Sequence, residues 1–298
     1  MPHSLVSRRT AIGALALPWL VACSTPLPLI AAPPPTDSAA RRRLAESAEA
    51  HGLAAYRRLN DINISYDGQW RPFIDRVQPE IVDAGFRGRS QERLMPKLGL
   101  TAQAYTGASG SKEVVWQRAP GASKPAGDVT VWFNGVRSTN DAAERAAALV
   151  AEGYNLFLLG PLWLVDRELP LRLAGTETVD GRSCDVLEAW LSPGLGRSAS
   201  DRIALCIDRS DSVMRRVRFT LEGFAGTQGA VAEVDTFEHS RRFGVVWPMR
   251  SYERVLHPVA LPAHDWRVTG LDVNRGYPQR DLLGPQLEGA AAAPAMPL

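Results

Sequence analysis

Cysteine is scarce in this chain, with three in 298 residues. That excludes the small secreted scaffolds that rely on several disulfides in place of a core. Long apolar runs are missing as well. Residues 11–22 form the purest one near the start, and it is about half the length that spans a bilayer. No later run is long and pure enough to cross a membrane as a helix. Charge of one sign is not concentrated anywhere. The net charge is +2, with basic residues spread along the chain, so the clustered basic face that a nucleic acid requires is absent. Catalytic spacing is absent too. His51, His239, His257 and His264 show no His-Glu-x-x-His helix spacing. His257 and His264 flank the Pro-rich turn "HPVALPAH", and two imidazoles alone make a poor metal site. "TGASGSK" at 106–112 lacks both the phosphate-loop spacing and Gly-x-Ser-x-Gly, and reads as a loop between strands. The expectation is a protein without catalytic residues, metal or cofactor.

What is present begins at the N-terminus. Ser7-Arg8-Arg9 precedes a mildly apolar run, as in twin-arginine export signals. The run ends in Leu20-Val21-Ala22-Cys23, similar to a bacterial lipobox. Cleavage would leave Cys23 as the acylated N-terminus of an envelope lipoprotein, and several acyl chains on one residue hold stably to a membrane. Ser24 after the cysteine leans towards the outer membrane. The predicted organisation is a signal peptide over 1–22 and a lipidated, Pro-rich tether over 23–37. A single domain over 38–285 follows, then a structureless tail over 286–298.

Within the domain, Leu44, Ala48, Ala55 and Leu59 recur at helical spacing, predicting a helix over 38–59. Ile62, Ile64 and Tyr66 then alternate, and Asp67-Gly68 signals a hairpin. Strands are predicted at 112–118 and 128–135. A helix capped by Thr139 or Asn140 should run through Glu152 and end at Gly153. "YNLFLLGPLWLV" at 154–165 is broken by Gly160-Pro161. Almost everything after it alternates at strand length, with a hairpin signal at Asp180-Gly181. The fold class is therefore α+β, an antiparallel sheet interrupted by helices in its first half. Cys184 and Cys206 lie on consecutive strands, within a residue or two of opposition, and form a candidate disulfide.

"LAGTETVDGRSCDVLEAWLSPG" followed by "IALCIDRSDSVMRRVRFT" resembles the second half of the LolA/LolB-like lipoprotein-carrier superfamily. The order of elements is similar as well. The resemblance implies a curved, incomplete antiparallel barrel with helices plugging its concave side. It also implies a cavity for a lipid or acyl chain, bound without a cofactor. On that basis Trp132, Phe157, Leu158, Trp163, Trp247 and Trp266 are candidate cavity residues. The expected function is a membrane-anchored envelope lipoprotein, facing the periplasm, that binds or carries a hydrophobic ligand. The alternative is a non-enzymatic envelope scaffold that binds another protein.

Overall fold

The computed structural model describes residues 27, 33–120, 126–222, 229–256, 260–287 and 290–295. Arg8, Arg9 and Cys23 lie outside the described residues. No helix among the described residues is long and apolar enough to cross a membrane.

The first half of the chain supplies β1 (Ile62–Trp70), β2 (Arg89–Met95), β3 (Leu100–Gly107), β4 (Gly110–Arg118), β5 (Gly127–Phe133) and the short β6 (Val136–Arg137). The second half supplies β7 (Leu171–Val179), β8 (Arg182–Leu191), β9 (Asp201–Asp208), β10 (Met214–Thr220), β11 (Val231–Arg242), β12 (Val245–Leu256) and β13 (Leu261–Val273). All join one antiparallel sheet in the order β6-β5-β4-β3-β2-β1-β13-β12-β11-β10-β9-β8-β7. Two meanders are thus joined where β1 pairs with β13. The sheet stays open, with β6 and β7 as its edges.

That topology forces a crossing. The chain leaves the sheet at one edge, β6, and must re-enter at the other edge, β7. The connection is α5 (Asp141–Leu159) followed by α6 (Pro161–Leu164). Helix α5 buries its apolar face against the sheet, and α1 (Ser38–His51) and α2 (Leu53–Tyr56) complete the filling. Alternation along the strands sends Val217 and Phe219 into this core and Arg216 and Arg218 to the opposite face. There Glu177, Glu233 and Asp235 pair with Arg216, Arg218 and Arg254. The architecture is the expected helix-plugged, incomplete barrel.

Three local expectations change, each for a tertiary reason. Gly52, at φ 93°, caps α1 and splits the first predicted helix in two. Asp67-Gly68 makes no turn, because β1 runs through it. A Cβ on Gly68 would sit 2.3 Å from the Trp266 ring, so the glycine serves close packing. Gly153 does not end its helix either. Asn140 caps α5 as expected, but the helix continues to Leu159 and stops at Gly160-Pro161. A Cβ on Gly153 would lie 3.3 Å from Phe219, so this glycine lets α5 approach the sheet.

The tail also differs from expectation. Gly270 leaves room for the backbone of 292–293, and Leu271 N–H donates to Ala293 O while Ala295 N–H donates to Thr269 O. Leu282, Tyr277 and Leu287 cover the convex face of β2–β4. Residues 290–295 are therefore laid against the sheet rather than structureless.

Candidate functional site

Filling of the concavity is incomplete at one end. Between β1 and β2 the chain makes α3 (Ile74–Val77) and α4 (Pro79–Val82), two single turns with no long apolar period of their own. Ile74 and Val82 pack on Ala263 of β13, which roofs the gap between α5 and the sheet. Under that roof is a cleft of about 50 Å³, lined mainly by apolar and aromatic side chains that include Trp70, Ile81, Val150, Phe157 and Phe219. It would hold a few waters, at about 10–15 Å³ each. Pockets that enclose drug-sized ligands measure about 300–1,000 Å³, so a lipid chain requires the roof to shift.

Gln78, which precedes the roof helix α4, is one polar group of this cleft, and Arg87, Tyr154 and Glu253 form its inner end. Arg87 is 2% exposed and retains its charge as arginines do. It donates to the carbonyls of Ile81 and Val82 and, at 2.7 Å, to the Tyr154 hydroxyl. The Trp70, Tyr105 and Tyr154 rings surround its guanidinium at 4.8–5.4 Å. Glu253 on β12 also lines the cleft. Burial pushes its carboxyl up to about 7, against the lowering effect of Arg87. Behind them Glu92 accepts from Ser90 and Gln103, both at 2.9 Å, and burial pushes it up to about 7 as well.

His264 stacks on Trp70 at 3.8 Å and meets Trp266 edge-on at 3.8 Å. Both of its ring nitrogens lack a partner among the described residues. Burial, followed by the nearby Arg87 and Arg71, holds it well below the usual histidine range, so the ring is neutral. The suggested pairing with His257 for a metal falls partly outside the described residues, because His257 is among those not described. No group of three His, Cys, Asp or Glu side chains converges among the described residues.

The other side of α5 is built differently. Here a larger opening of about 290 Å³ is lined by Tyr56, Leu94, Trp163 and several charged groups. Arg118 forms a two-oxygen pair with Glu152, which is 1% exposed, and also donates to Pro193 O and Gly194 O. Glu152 further accepts from Gly196 N–H at 2.7 Å.

The six candidate cavity residues distribute unevenly over this frame. Phe157 lines the roofed cleft and Trp163 the opposite opening. Trp163 is partly buried, with Arg167 3.7 Å above its ring. Leu158 and Trp247 are core, and the Trp247 Nε1–H donates to Arg242 O. Trp266 stands behind the cleft against Tyr66 and Tyr154. Trp132 requires correction. Val131 and Phe133 take the concave side of β5, so alternation sends Trp132 to the convex face, against Leu100, Val115 and Leu282.

The candidate disulfide is not formed, because Cys184 and Cys206 are free and buried. Cys184 pairs with Asp208 and Cys206 with Val186, which makes the two cysteines diagonal neighbours. Diagonal Cα atoms are about 7–8 Å apart, beyond the reach of a relaxed bridge.

Sequence reasoning missed Arg87, Glu253 and the aromatic shell around them. They come from a stretch without clear period and from a strand read only as sheet.

No protein-family model and no curated protein matches the chain. Solved structures do. The DUF1329 family protein from Desulfovibrio piger superposes with a TM-score of 0.53 at 12% identity, over 86% of this chain and 100% of that one. A putative outer membrane lipoprotein-sorting protein domain from Vibrio parahaemolyticus gives a TM-score of 0.43 at 11% identity, over 82% and 97%. A LolA superfamily protein from Nitrosomonas europaea gives 0.41 at 11% identity, over 82% and 96%. At such identities the likeness is one of fold alone, and it is the fold shared with the DUF1329 family protein.

Proposed function

We propose that this protein is a membrane-anchored envelope lipoprotein that binds or carries a hydrophobic ligand, lipid or acyl chain, without catalysing a reaction. The observation that carries this reading is the roofed cleft. Its walls are apolar and aromatic, and its roof consists of two single-turn helices. An acyl chain entering it gains about 0.8 kcal/mol per methylene removed from water. Support for the roof as the moving part comes from Phe73, which holds φ 74° and is 68% exposed on the roof. A bulky residue in the left-handed region stores strain that a rearrangement can release. Export through Arg8 and Arg9, acylation at Cys23 with palmitate label, and a periplasm-facing position at the outer membrane belong to the same proposal. They rest on the leader sequence.

A second reading, an envelope scaffold that binds another protein, draws on one observation. Along most of its length the concavity is filled by packed side chains from α1, α5 and α6. Extraction separates the two. The protein is purified from envelope membranes, and its lipids are quantified against protein after extraction. About one lipid per chain supports the carrier reading, whereas lipid-free protein that co-purifies with a stoichiometric protein partner supports the scaffold.

A further inference from the structure

We propose that the inner end of the roofed cleft is a head-group site for uncharged, hydroxyl-bearing lipids, with Glu253 as the residue that rejects fatty acids. This proposal rests on the ligand-binding reading above and names its ligand class.

The positive charge at this end is already met by carboxylates, Glu253 in the cleft wall and Glu92 behind it. Arg87 brings one positive charge into the cleft wall and Glu253 one negative charge. The Glu253 carboxylate is half-buried, lines the cleft and has no hydrogen-bond partner among the described residues. Its acceptor oxygens are therefore free. The Tyr154 oxygen accepts from Arg87, which leaves its own proton to donate. Arg87 Nε is buried without a partner and adds a second donor. The same lining thus offers an acceptor in Glu253 and donors in Tyr154 and Arg87, the complement of an alcohol, which donates once and accepts twice.

Charged heads fit less well. A carboxylate head would lie against Glu253 in a medium of low dielectric, where like charges repel strongly, and Arg87 is already matched. An ammonium head would be favoured by Glu253 but would meet Arg87. A neutral glycerol or alcohol head leaves the Arg87–Glu253 balance intact while its chain runs along Trp70, Phe157 and Phe219.

The test is displacement of N-phenylnaphthylamine from the purified protein by monooleoylglycerol and by oleate, at about pH 8, where Glu253 is ionised. In the wild type, monooleoylglycerol displaces the dye at a concentration about tenfold or more below that of oleate. In Glu253→Gln the oleate midpoint falls about tenfold, because the carboxylate that lines the cleft and repels the head is gone, and the monooleoylglycerol midpoint moves less than about threefold. Glu253→Asp keeps the charge and the wild-type order. Equal or tighter binding of oleate by the wild type overturns the proposal but leaves ligand binding standing. So does a Glu253→Gln protein with both midpoints unchanged, or a Glu253→Asp protein that prefers oleate. If neither lipid displaces the dye from the wild type and the dye itself does not bind, the ligand-binding reading falls, and this proposal with it.

Discussion

Helix α5 has two sides, and the sequence treats them differently. On the Arg118 side the buried charges are closed on one another, with Glu152 taking Arg118 and the Gly196 amide. On the Arg87 side, Arg87 Nε, both His264 nitrogens and the Tyr66 and Tyr105 hydroxyls lack partners among the described residues, and the half-buried Glu253 carboxylate accepts no bond from them. A buried polar group left unpaired costs about 1–3 kcal/mol. The Arg118 side holds a closed ion pair with one open atom, Asn155 Oδ1, beside it, whereas several open atoms gather on the Arg87 side, which separates a structural clamp from a surface kept for something else. The clamp fixes α5 to the loop that follows β8, and the Arg87 side lies under the two single-turn helices.

The comparison breaks most visibly at the clamp. Glu152→Ala leaves Arg118 buried without its carboxylate and orphans an amide. The expected loss is about 3–5 kcal/mol, read from urea unfolding. A loss below about 1 kcal/mol would mean that the pair is no clamp.

The Arg87 side is sharpened by pH. In the folded protein Glu92 holds its proton to about pH 7, while its ordinary value is 4.5. The folded state therefore binds more protons than the unfolded chain in that window, and the contribution of this group is full below 4.5 and lost as pH rises towards 7. His51, pushed down to about 4 by burial, works in the opposite direction between 4 and 6.5. Glu92→Gln isolates the carboxyl. Relative to wild type, the variant should gain roughly 3 kcal/mol between pH 4.5 and pH 8. Urea midpoints at the two pH values check this, and a constant difference would contradict it.

Trp163 comes next. Partly buried and covered by Arg167, it should cost about 2 kcal/mol on Trp163→Ala, less than a fully buried Trp247→Ala at about 3–5 kcal/mol. Thermal melts of the two variants provide the ranking.

The smallest effect lies away from both of these regions. Cys184 and Cys206 should both alkylate once the protein is unfolded without reductant, read as two adducts by mass spectrometry, whereas none would reveal a bridge.

Much of the fold was legible, because alternation over the second half and the Asp180-Gly181 turn each have a local cause. The positive φ values at Asp180 and Gly181 are those a tight hairpin demands. What misled was glycine used for contact rather than conformation. Gly68 and Gly153 read as turn and helix stop, but their roles are set by Trp266 and Phe219, which are distant in sequence. The site was less legible than the fold. Phe157 was found because it sits in the most apolar segment. Arg87 and Glu253 were not, since each is an ordinary surface residue type until the segment with α3 and α4 folds onto the sheet. Trp132 was misplaced because one strand's alternation does not say which face is inside until α5 is seen to cover Val131.

The central claim, that the roofed cleft is where an apolar ligand goes, is tested most directly by filling it. Val150 lines the cleft, and Trp163 lines the opening on the other side of α5. Saturable binding of N-phenylnaphthylamine is measured for the wild type, for Val150→Trp and for Trp163→Ala. The expected result is binding by the wild type and by Trp163→Ala, weakened about tenfold or more in Val150→Trp. Equal binding by all three, or loss on Trp163→Ala alone, would place the ligand elsewhere and contradict the claim.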